Sequence, residues 1–448
     1  MAARDSEPPV IRPGYTIASA AREIGDLVLR RPIGWPWLMG MLLSAGLLTL
    51  LAVAVVVLLV RGVGIWGIDI PVAWGFAIAN FVWWIGIGHA GTLISAFLYL
   101  MRQRWRTSIN RFAEAMTLFA VLCAALYPLL HLGRPWYFYW LLPYPNTMWL
   151  WPQFRSPLIF DLFAVGTYLT VSLLFWYVGL IPDLANLRDR APHRFQQLAY
   201  GVLALGWRGS ARHWQRYESL YLLLAGLATP LVISVHSIVS IDFAYAIVPG
   251  WHSTIFPPYF VAGAVYSGFA MVLILAIPMR AAFRLDGLIT QRHLDLMAQL
   301  MLAMGLLVAY SYATEFFSSW YGGNPPEWTA FVNQVTGVYA PLFWGTLFCN
   351  VLSVQVLWAP KVRRSPVALF VVSLLVLLGM WIERVMIVIT ALHRDYLPSR
   401  WGLYVPTFWD WATLCGTIGL FFFLFLLFVR LLPIISISEV EKLVEEGA

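Results

Sequence analysis

The residues best suited to chemistry lie in one short stretch, from His131 to Asp161. A histidine ends one long apolar segment and an aspartate opens the next, and the link between them carries Arg134, Arg155 and many aromatic residues and prolines. A two-electron, two-proton donor such as a quinol needs an apolar slot for its ring and groups that bond its hydroxyls and accept protons. Histidine and a carboxylate supply such groups, and an arginine can keep the aspartate ionised or hold a partner. The stretch is therefore a candidate quinol site.

The composition shows what must position these residues. Of the 448 residues, 60% are hydrophobic and only 11% are charged, and the mean hydropathy is +0.74, which is typical of a polytopic membrane protein. The apolar residues form long runs without the alternation of outer-membrane barrel strands, so the spanning segments are helices. The net charge of +7 does not indicate nucleic acid, because the basic residues lie in short loops between apolar segments.

The apolar runs predict an all-α integral membrane protein with about ten transmembrane helices of about 20 residues or more. Their predicted limits are 38–61, 70–101, 108–131, 157–181, 217–243, 256–279, 293–320, 331–357, 367–390 and 407–432.

The distribution of basic residues predicts the orientation. Lys and Arg concentrate in the loops after the second, fourth, sixth and eighth spans. The alternate loops carry only Arg61, Arg134, Arg155, Arg394 and Arg400. By the positive-inside rule, both termini are expected on the cytoplasmic side of the membrane and the stretch from His131 to Asp161 on the outer side.

Several ionisable residues fall within the predicted spans. Counting from the span ends at about 1.5 Å per residue places five of them in the outer part of the membrane: His236, Asp242, Glu315, Glu383 and Arg384. His89 falls near the middle of the second span, and Glu114 near the inner end of the third. Each such charge costs about 2.5 to 3.5 kcal/mol to insert, so paired, functional groups are expected. For Glu383 and Arg384, a structural ion pair is an equal alternative.

The two termini carry amphipathic patterns. The segment 15–29 predicts a helix that lies either on the inner membrane surface or against a partner. The tail 436–448 predicts a short acidic amphipathic helix, to which we assign no chemistry.

The sequence offers no redox centre to receive electrons. It contains no iron-sulfur motif, no Rossmann glycine pattern and no CxxCH haem attachment, and its three cysteines, Cys123, Cys349 and Cys415, lie in different spans. No metal site is expected. Haem b is an alternative cofactor, with His131 and His236 as axial ligands, but the repeated histidine pairs of cytochromes b are missing. Oxidation of a quinol would therefore require a partner subunit.

Several motifs together resemble one family. They are GIGHAGTLISA at 86–96, INRFAEAMT at 109–117, HLGRPW at 131–136, PYPN at 143–146, FRSPLIFD at 154–161 and FWYVGLIPD at 175–183. These motifs are similar to those of the NrfD/polysulfide reductase membrane-subunit family, and within it to the ActC-type subunits of alternative complex III. The resemblance covers nearly the whole chain. It implies two four-helix bundles, formed by spans 2–5 and 6–9 and flanked by spans 1 and 10.

The resemblance also implies a division of the chain. An N-terminal cytoplasmic segment would cover 1–37, and the first transmembrane helix and its outer loop 38–69. The first bundle, with the quinol site, would cover 70–243 and the second bundle 244–390. The last span and the tail would then occupy 391–448.

The function that the resemblance implies is a quinol:electron acceptor oxidoreductase. This subunit would bind menaquinol or ubiquinol at His131 and Asp161, with Arg134, Arg155 and His89 nearby, and would carry neither haem nor an iron-sulfur cluster. Electrons would pass to a periplasmic iron-sulfur subunit and on to c-type cytochrome subunits. A homologous NrfD-like membrane subunit and the lipid bilayer are further expected partners.

Proton translocation is a further expectation. One path would cross the first bundle through Glu114, His89, Tyr168 and Thr167. A second path, in the second bundle, would use His236, Asp242, Tyr310, Glu315, Glu383 and Arg384. Two other functions stay open: a secondary transporter, which paired bundles and buried carboxylates also suit, and a purely structural anchor for redox subunits.

Overall fold

The structure is a computed structural model that describes residues 10–142 and 157–446, and every regular element in these two ranges is helical. In chain order the principal helices are Ile17–Leu29 (α1), Trp35–Arg61 (α2), Phe76–Leu100 (α3), Asn110–His131 (α4), Pro157–Arg190 (α5), Arg194–Leu203 (α6), Ala211–Ala244 (α7), Phe256–Phe283 (α8), Gln291–Tyr321 (α9), Pro325–Thr336 (α10), Ala340–Trp358 (α11), Pro366–His393 (α12), Phe408–Leu431 (α13) and Ile437–Glu445 (α14). Within the described residues, ten of them are long and apolar enough to cross a membrane. The predicted all-α membrane fold is confirmed.

The largest differences between the predicted and the observed limits occur in two spans. The fourth was expected to end at residue 181, but α5 continues through Pro182 to Arg190, because a membrane helix can satisfy the backbone groups that a proline leaves free. The eighth was expected to begin at residue 331. Instead α10 ends at Thr336, and a new helix starts at Ala340 with a proline in its first turn, a position that proline favours.

The spans assemble as two four-helix bundles. Helices α3, α4, α5 and α7 pack around one another, and α8, α9, α11 and α12 form the second group. Helix α3 joins the two bundles by packing along α8, while α2 and α13 pair with each other and α13 lies against α4. This arrangement agrees with the predicted grouping of spans 2–5 and 6–9 between spans 1 and 10.

Close helix approach in the first bundle depends on a small residue. At Gly91 an added Cβ would overlap the carbonyl oxygen of Ala113 on α4. Small residues let membrane helices come this near, and here the approach allows Thr117 to donate a 2.6 Å hydrogen bond to the carbonyl oxygen of Gly88. Helices α3 and α4 are thereby held in one register.

Both terminal helices fold back onto the chain. Helix α1 packs against α14, α13 and α5, and its apolar face, including Ala20 and Ile24, is buried. Helix α14 buries Ile437 and Leu443 in the same region. From the sequence, α1 was expected either on a membrane surface or against a partner protein. In the structure its apolar face is covered by other parts of this chain.

Candidate functional site

His131 is the last residue of α4 and defines one end of the first bundle, here called the His131 end. Its imidazole stacks on the indole of Trp66, with ring centroids 6.2 Å apart and an interplanar angle of 13°. Its Nδ1 atom is buried and has no hydrogen-bond partner within the described residues. The ring is therefore held by an aromatic contact while one nitrogen stays available for a ligand.

Asp161 and Asp242 meet from two helices in the half of the first bundle that ends at His131. Asp161 lies in the first turns of α5 and Asp242 in the last turn of α7, and their side chains are in hydrogen-bonding contact. The Oδ1 atom of each is buried and without a partner in the described part of the chain. Two carboxylates in contact share a proton, because both cannot ionise at close range. The pair is thus equipped to take up or release a proton.

The structure brings together only some of the residues that were predicted for this site. No hydrogen bond or ion pair joins His131 to Asp161 in the described ranges. The side chain of Asp161 contacts Asp242 instead. Arg134 lies exposed in the turn after α4. Arg155 and the PYPN motif lie outside the described residues. Asp242 was predicted for a path in the second bundle, but its contact assigns it to the first.

A pair of histidines occupies the interior of the protein. The rings of His89 on α3 and His236 on α7 are fully buried and lie edge to face with centroids 4.6 Å apart. His89 Nδ1 is 2.8 Å from the carbonyl oxygen of Ile85. Its Nε2 and both nitrogens of His236 have no partner among the described residues.

The predicted depth of His236 is wrong. Gly88, beside His89, is level with Thr117, and Thr117 precedes His131 by 14 residues of helix, or about 21 Å. His236 is therefore far deeper than His131, and the two do not form the axial pair considered for haem. The predicted depth was counted from Arg216, directly before the predicted fifth span. Helix α7 instead begins at Ala211 and has 34 residues, so its length of about 51 Å exceeds the thickness of the membrane core.

Tyr168 extends this interior cluster along α5. Its ring lies 5.9 Å from that of His89, and its hydroxyl is 2.8 Å from Thr92 Oγ1 and donates a 3.0 Å hydrogen bond to the carbonyl oxygen of Gly88. The neighbouring Thr167 is exposed, so its predicted place in the path is wrong. Adjacent residues point to different sides of a helix, and Thr92 supplies the hydroxyl instead.

The second bundle brings a charged group to the same place. The guanidinium of Arg384 lies 4.0 Å above the ring of Phe260 and acts electrostatically on both buried imidazoles. It also lies 3.0 Å from Glu383 Oε1. Glu383 in turn accepts hydrogen bonds from the Tyr312 hydroxyl and from Asn350. The predicted pair Glu383 and Arg384 thus belongs to a buried network that reaches the histidines.

Tyr310 was predicted for this path, but its side chain is 64% exposed on the outer surface of α9. Tyr312, two residues later, makes the contact with Glu383. Glu315 lies near Glu383 and shares with Glu327 a cavity of about 20 Å³, which is room for one water molecule.

These two tyrosines provide a matched test of the network. Tyr312→Phe leaves a buried carboxylate oxygen of Glu383 without this donor, so we expect a loss of about 1–3 kcal/mol of unfolding free energy. Tyr310→Phe should change it by less than about 0.5 kcal/mol. Thermal unfolding of the purified protein in detergent measures both variants. Equal effects of the two substitutions would contradict the assignment of Tyr312.

Glu114 marks the opposite end of the first bundle, here called the Glu114 end. Its carboxylate lies 3.0 Å from Arg111 Nη1 and accepts a 3.0 Å hydrogen bond from the hydroxyl of Tyr221. Arg111 also contacts Asp183 at 3.1 Å and donates to the carbonyl oxygen of Gly179 at 2.7 Å. These charged groups are buried, so each depends on the others for compensation.

Sequence reasoning missed Arg111, Asp183 and Tyr221. Arg111 lies at the start of the predicted third span and was grouped with the basic residues that indicate the orientation, whereas its side chain is fully buried in the first turn of α4. Its position three residues before Glu114 was the available signal, since residues at that spacing meet on one helix face. Nothing in the sequence marks Asp183 or Tyr221 as its neighbours. The searched part of the chain contains no group of three metal-ligating side chains arranged for an ion.

Known proteins share this sequence pattern. Residues 68–394 match the family described as polysulphide reductase, NrfD, and this range contains the eight helices of the two bundles. The membrane subunit of a putative dimethyl sulfoxide reductase of Halobacterium salinarum is 24% identical over 77% of this chain and 78% of its own length.

Two further relatives have comparable coverage. A selenate reductase subunit of Mesobacillus selenatarsenatis is 24% identical over 81% of this chain and 86% of that protein. An Hdr-like menaquinol oxidoreductase integral membrane subunit of Archaeoglobus fulgidus is 21% identical over 86% of this chain and 90% of its own length. The family match, the ten candidate spans and these relatives lead to one conclusion: the chain belongs to the NrfD family and is a multi-pass membrane subunit of a redox complex.

Proposed function

We propose that this subunit binds menaquinol or ubiquinol at the His131 end of the first bundle and oxidises it within a complex of the alternative complex III type. The His131 end would face the periplasm of a bacterial inner membrane, with both termini in the cytoplasm. Electrons would pass to an iron-sulfur subunit docked there, and from it to c-type cytochromes. A homologous NrfD-like membrane subunit would complete the membrane part.

The observation that carries the proposal is the set of buried polar atoms without partners at the His131 end. They are His131 Nδ1, Asp161 Oδ1 and Asp242 Oδ1, as far as the described residues show. A buried polar atom left unpaired costs about 1–3 kcal/mol, so a ligand that bonds these atoms gains that free energy. The hydroxyls of a quinol match their chemistry, and Trp66 offers an aromatic face beside His131. The name of the Archaeoglobus relative, a menaquinol oxidoreductase subunit, supports the same ligand class.

The proposed step balances as quinol to quinone, two electrons and two protons. His131 would accept one proton and the carboxylate pair of Asp161 and Asp242 the other, while the two electrons would pass one at a time to the iron-sulfur partner subunit. This chain would therefore bind the quinol, orient it and take its protons. The partner would supply the electron acceptor.

A proton path through the first bundle is the second part of the proposal. From Asp242 the helix α7 leads over six residues, about 9 Å, to His236, which contacts His89. Tyr168, Thr92 and Thr117 continue toward Glu114 through the hydrogen bonds at Gly88. Arg384 and Glu383 border this path, so the second bundle can influence the charge at its centre.

Binding of a quinone analogue tests the ligand class. We expect the purified wild-type complex to bind a water-soluble menaquinone analogue in equilibrium dialysis. His131→Leu should weaken binding by about 10-fold or more, because it removes a hydrogen-bond partner worth about 1.4 kcal/mol or more. His252→Leu, at the same end but on the exposed loop after α7, is the control. Equal affinity in the wild type and His131→Leu contradicts the site, and a chain that only anchors redox subunits binds no analogue.

A further inference from the structure

The last helix contributes charge to the buried cluster at the Glu114 end. Glu439 on α14 lies 2.8 Å from Arg106 Nη2, with side-chain exposures of 12% and 6%. It acts electrostatically on Glu114 and on Tyr221. Two further hydrogen bonds connect the tail to the cluster. The backbone N–H of Ser438 donates to Asp183 at 3.0 Å, and Ser436 Oγ accepts from Arg111 at 3.1 Å. The tail is thus an integral part of this cluster.

The charges in this cluster do not balance. Two arginines, Arg106 and Arg111, face three carboxylates, Glu114, Asp183 and Glu439, and no side chain among the five is more than 12% exposed. Arginine stays protonated at any pH a protein meets, so full ionisation would leave one uncompensated negative charge in the interior. Binding of one proton by a carboxylate removes this excess negative charge, because a buried group without a counter-charge is more stable in its neutral form.

The neighbouring charges lie outside this buried set. Glu441 of α14 acts on Asp183 and is itself influenced by Glu445 and by the opposite charge of Arg190. The other two ion pairs of α14, Lys442 with Glu218 and Glu446 with Arg104, are each balanced and about half exposed. Tyr217 and Tyr221 are buried next to the carboxylates and are neutral as phenols. The single excess negative charge therefore arises when Glu439 joins a set that would otherwise be balanced.

Water can reach the edge of the cluster. Asp183 and Ser438 line a cavity of about 200 Å³ together with Glu441 of α14. Burial and the nearby carboxylate of Asp183 raise the pKa of Glu441 to about 6. A carboxyl with this pKa exchanges protons close to neutral pH, at the border between the cavity and Asp183.

From this charge count and this access we infer that α14 makes the Glu114 end a loading site for one proton, with Glu439 as its third carboxylate. The inference rests on the proposed proton path, whose cytoplasmic end it specifies. The proton enters through the cavity beside Glu441, is held among the three carboxylates, and leaves toward Thr117 and His89. The tail, to which the sequence assigned no chemistry, would then be part of the proton machinery.

Two variants change the stored proton in opposite directions. Glu439→Gln keeps the size and hydrogen bonding of the side chain and removes its charge, which leaves two cations and two carboxylates and no need for a proton. Arg106→Gln leaves one cation and three carboxylates, which requires two protons. Infrared spectra of the purified complex in H₂O and D₂O report protonated carboxyls by their C=O band. The band should lose one carboxyl in Glu439→Gln and gain one in Arg106→Gln.

Glu446→Gln is the matched control, because Glu446 is the residue directly after α14 and forms an exposed pair, and the band of this variant should equal that of the wild type. If the C=O band of Glu439→Gln also equals that of the wild type, the proposed loading site is wrong. In proteoliposomes, proton uptake during quinol oxidation should fall about 10-fold or more in Glu439→Gln and stay unchanged in Glu446→Gln. A wild-type complex that oxidises quinol without proton uptake would instead overturn the proposed path, which separates the two failures.

Discussion

Asp161→Asn is expected to lower quinol-dependent reduction of the electron acceptor by about 100-fold or more in the assembled complex. Asparagine has nearly the same shape but cannot accept a proton. It would also leave Asp242 without the carboxyl that contacts it. The initial rate with a soluble menaquinol measures the effect, and the complex should still assemble because the side-chain volume is unchanged.

The control for this substitution is Asp395→Asn. Asp395 follows α12, accepts a hydrogen bond from the backbone of Leu397 at 3.0 Å and lies 3.6 Å from Arg400. It is a carboxylate outside the proposed site, and asparagine can keep the backbone contact, so turnover should stay within about 2-fold of the wild type. Unchanged turnover in Asp161→Asn would remove this residue from the proposed reaction.

Arg111→Gln is expected to cause the largest loss of stability of any single substitution considered. It leaves Glu114 and Asp183 buried without their shared cation and removes the donor to Gly179. Breaking a buried ion pair from one side costs about 3–5 kcal/mol. We expect a clear fall in the thermal unfolding midpoint in detergent, with a smaller fall for Arg111→Lys, which keeps the charge without the forked geometry.

Arg104→Gln is the matched control for Arg111→Gln. Arg104 pairs with Glu446 at 3.3 Å, and both side chains are more than half exposed. Exposed pairs contribute about 0–1 kcal/mol, so the midpoint should move little. Equal shifts in Arg104→Gln and Arg111→Gln would show that the buried cluster carries no special stability.

The fold was accessible from sequence because hydropathy reports directly on membrane-spanning helices. The grouping of spans into two bundles came from the family resemblance, and the packing of α3 against α8 agrees with it. Motif reasoning also identified residues that prove to be buried and polar, such as His89 and Glu114. Long apolar runs therefore predict the membrane-spanning helices, and the few charged residues within them predict buried polar positions.

The sequence could not show which of these residues meet. Depth counting assumed that every helix begins at the membrane edge, and α7 does not, so His236 was assigned to the wrong level. The sequence also could not show which way neighbouring side chains point. Thr167 was therefore predicted together with Tyr168, and Tyr310 in place of Tyr312, although Tyr168 and Tyr312 make the buried contacts. Contacts between distant segments, such as Glu439 with Arg106, leave no local pattern.

The central claim is that quinol binds between α4, α5 and α7 at the His131 end. The most direct measurement is photocrosslinking of the intact complex with an azido-menaquinone, followed by identification of the labelled peptides by mass spectrometry. We expect label on the peptides that contain Trp66, His131 and Asp161, and its loss when an excess of menaquinone competes. Competable labelling confined to the second bundle, for instance around Glu315 and Glu327, would contradict the account.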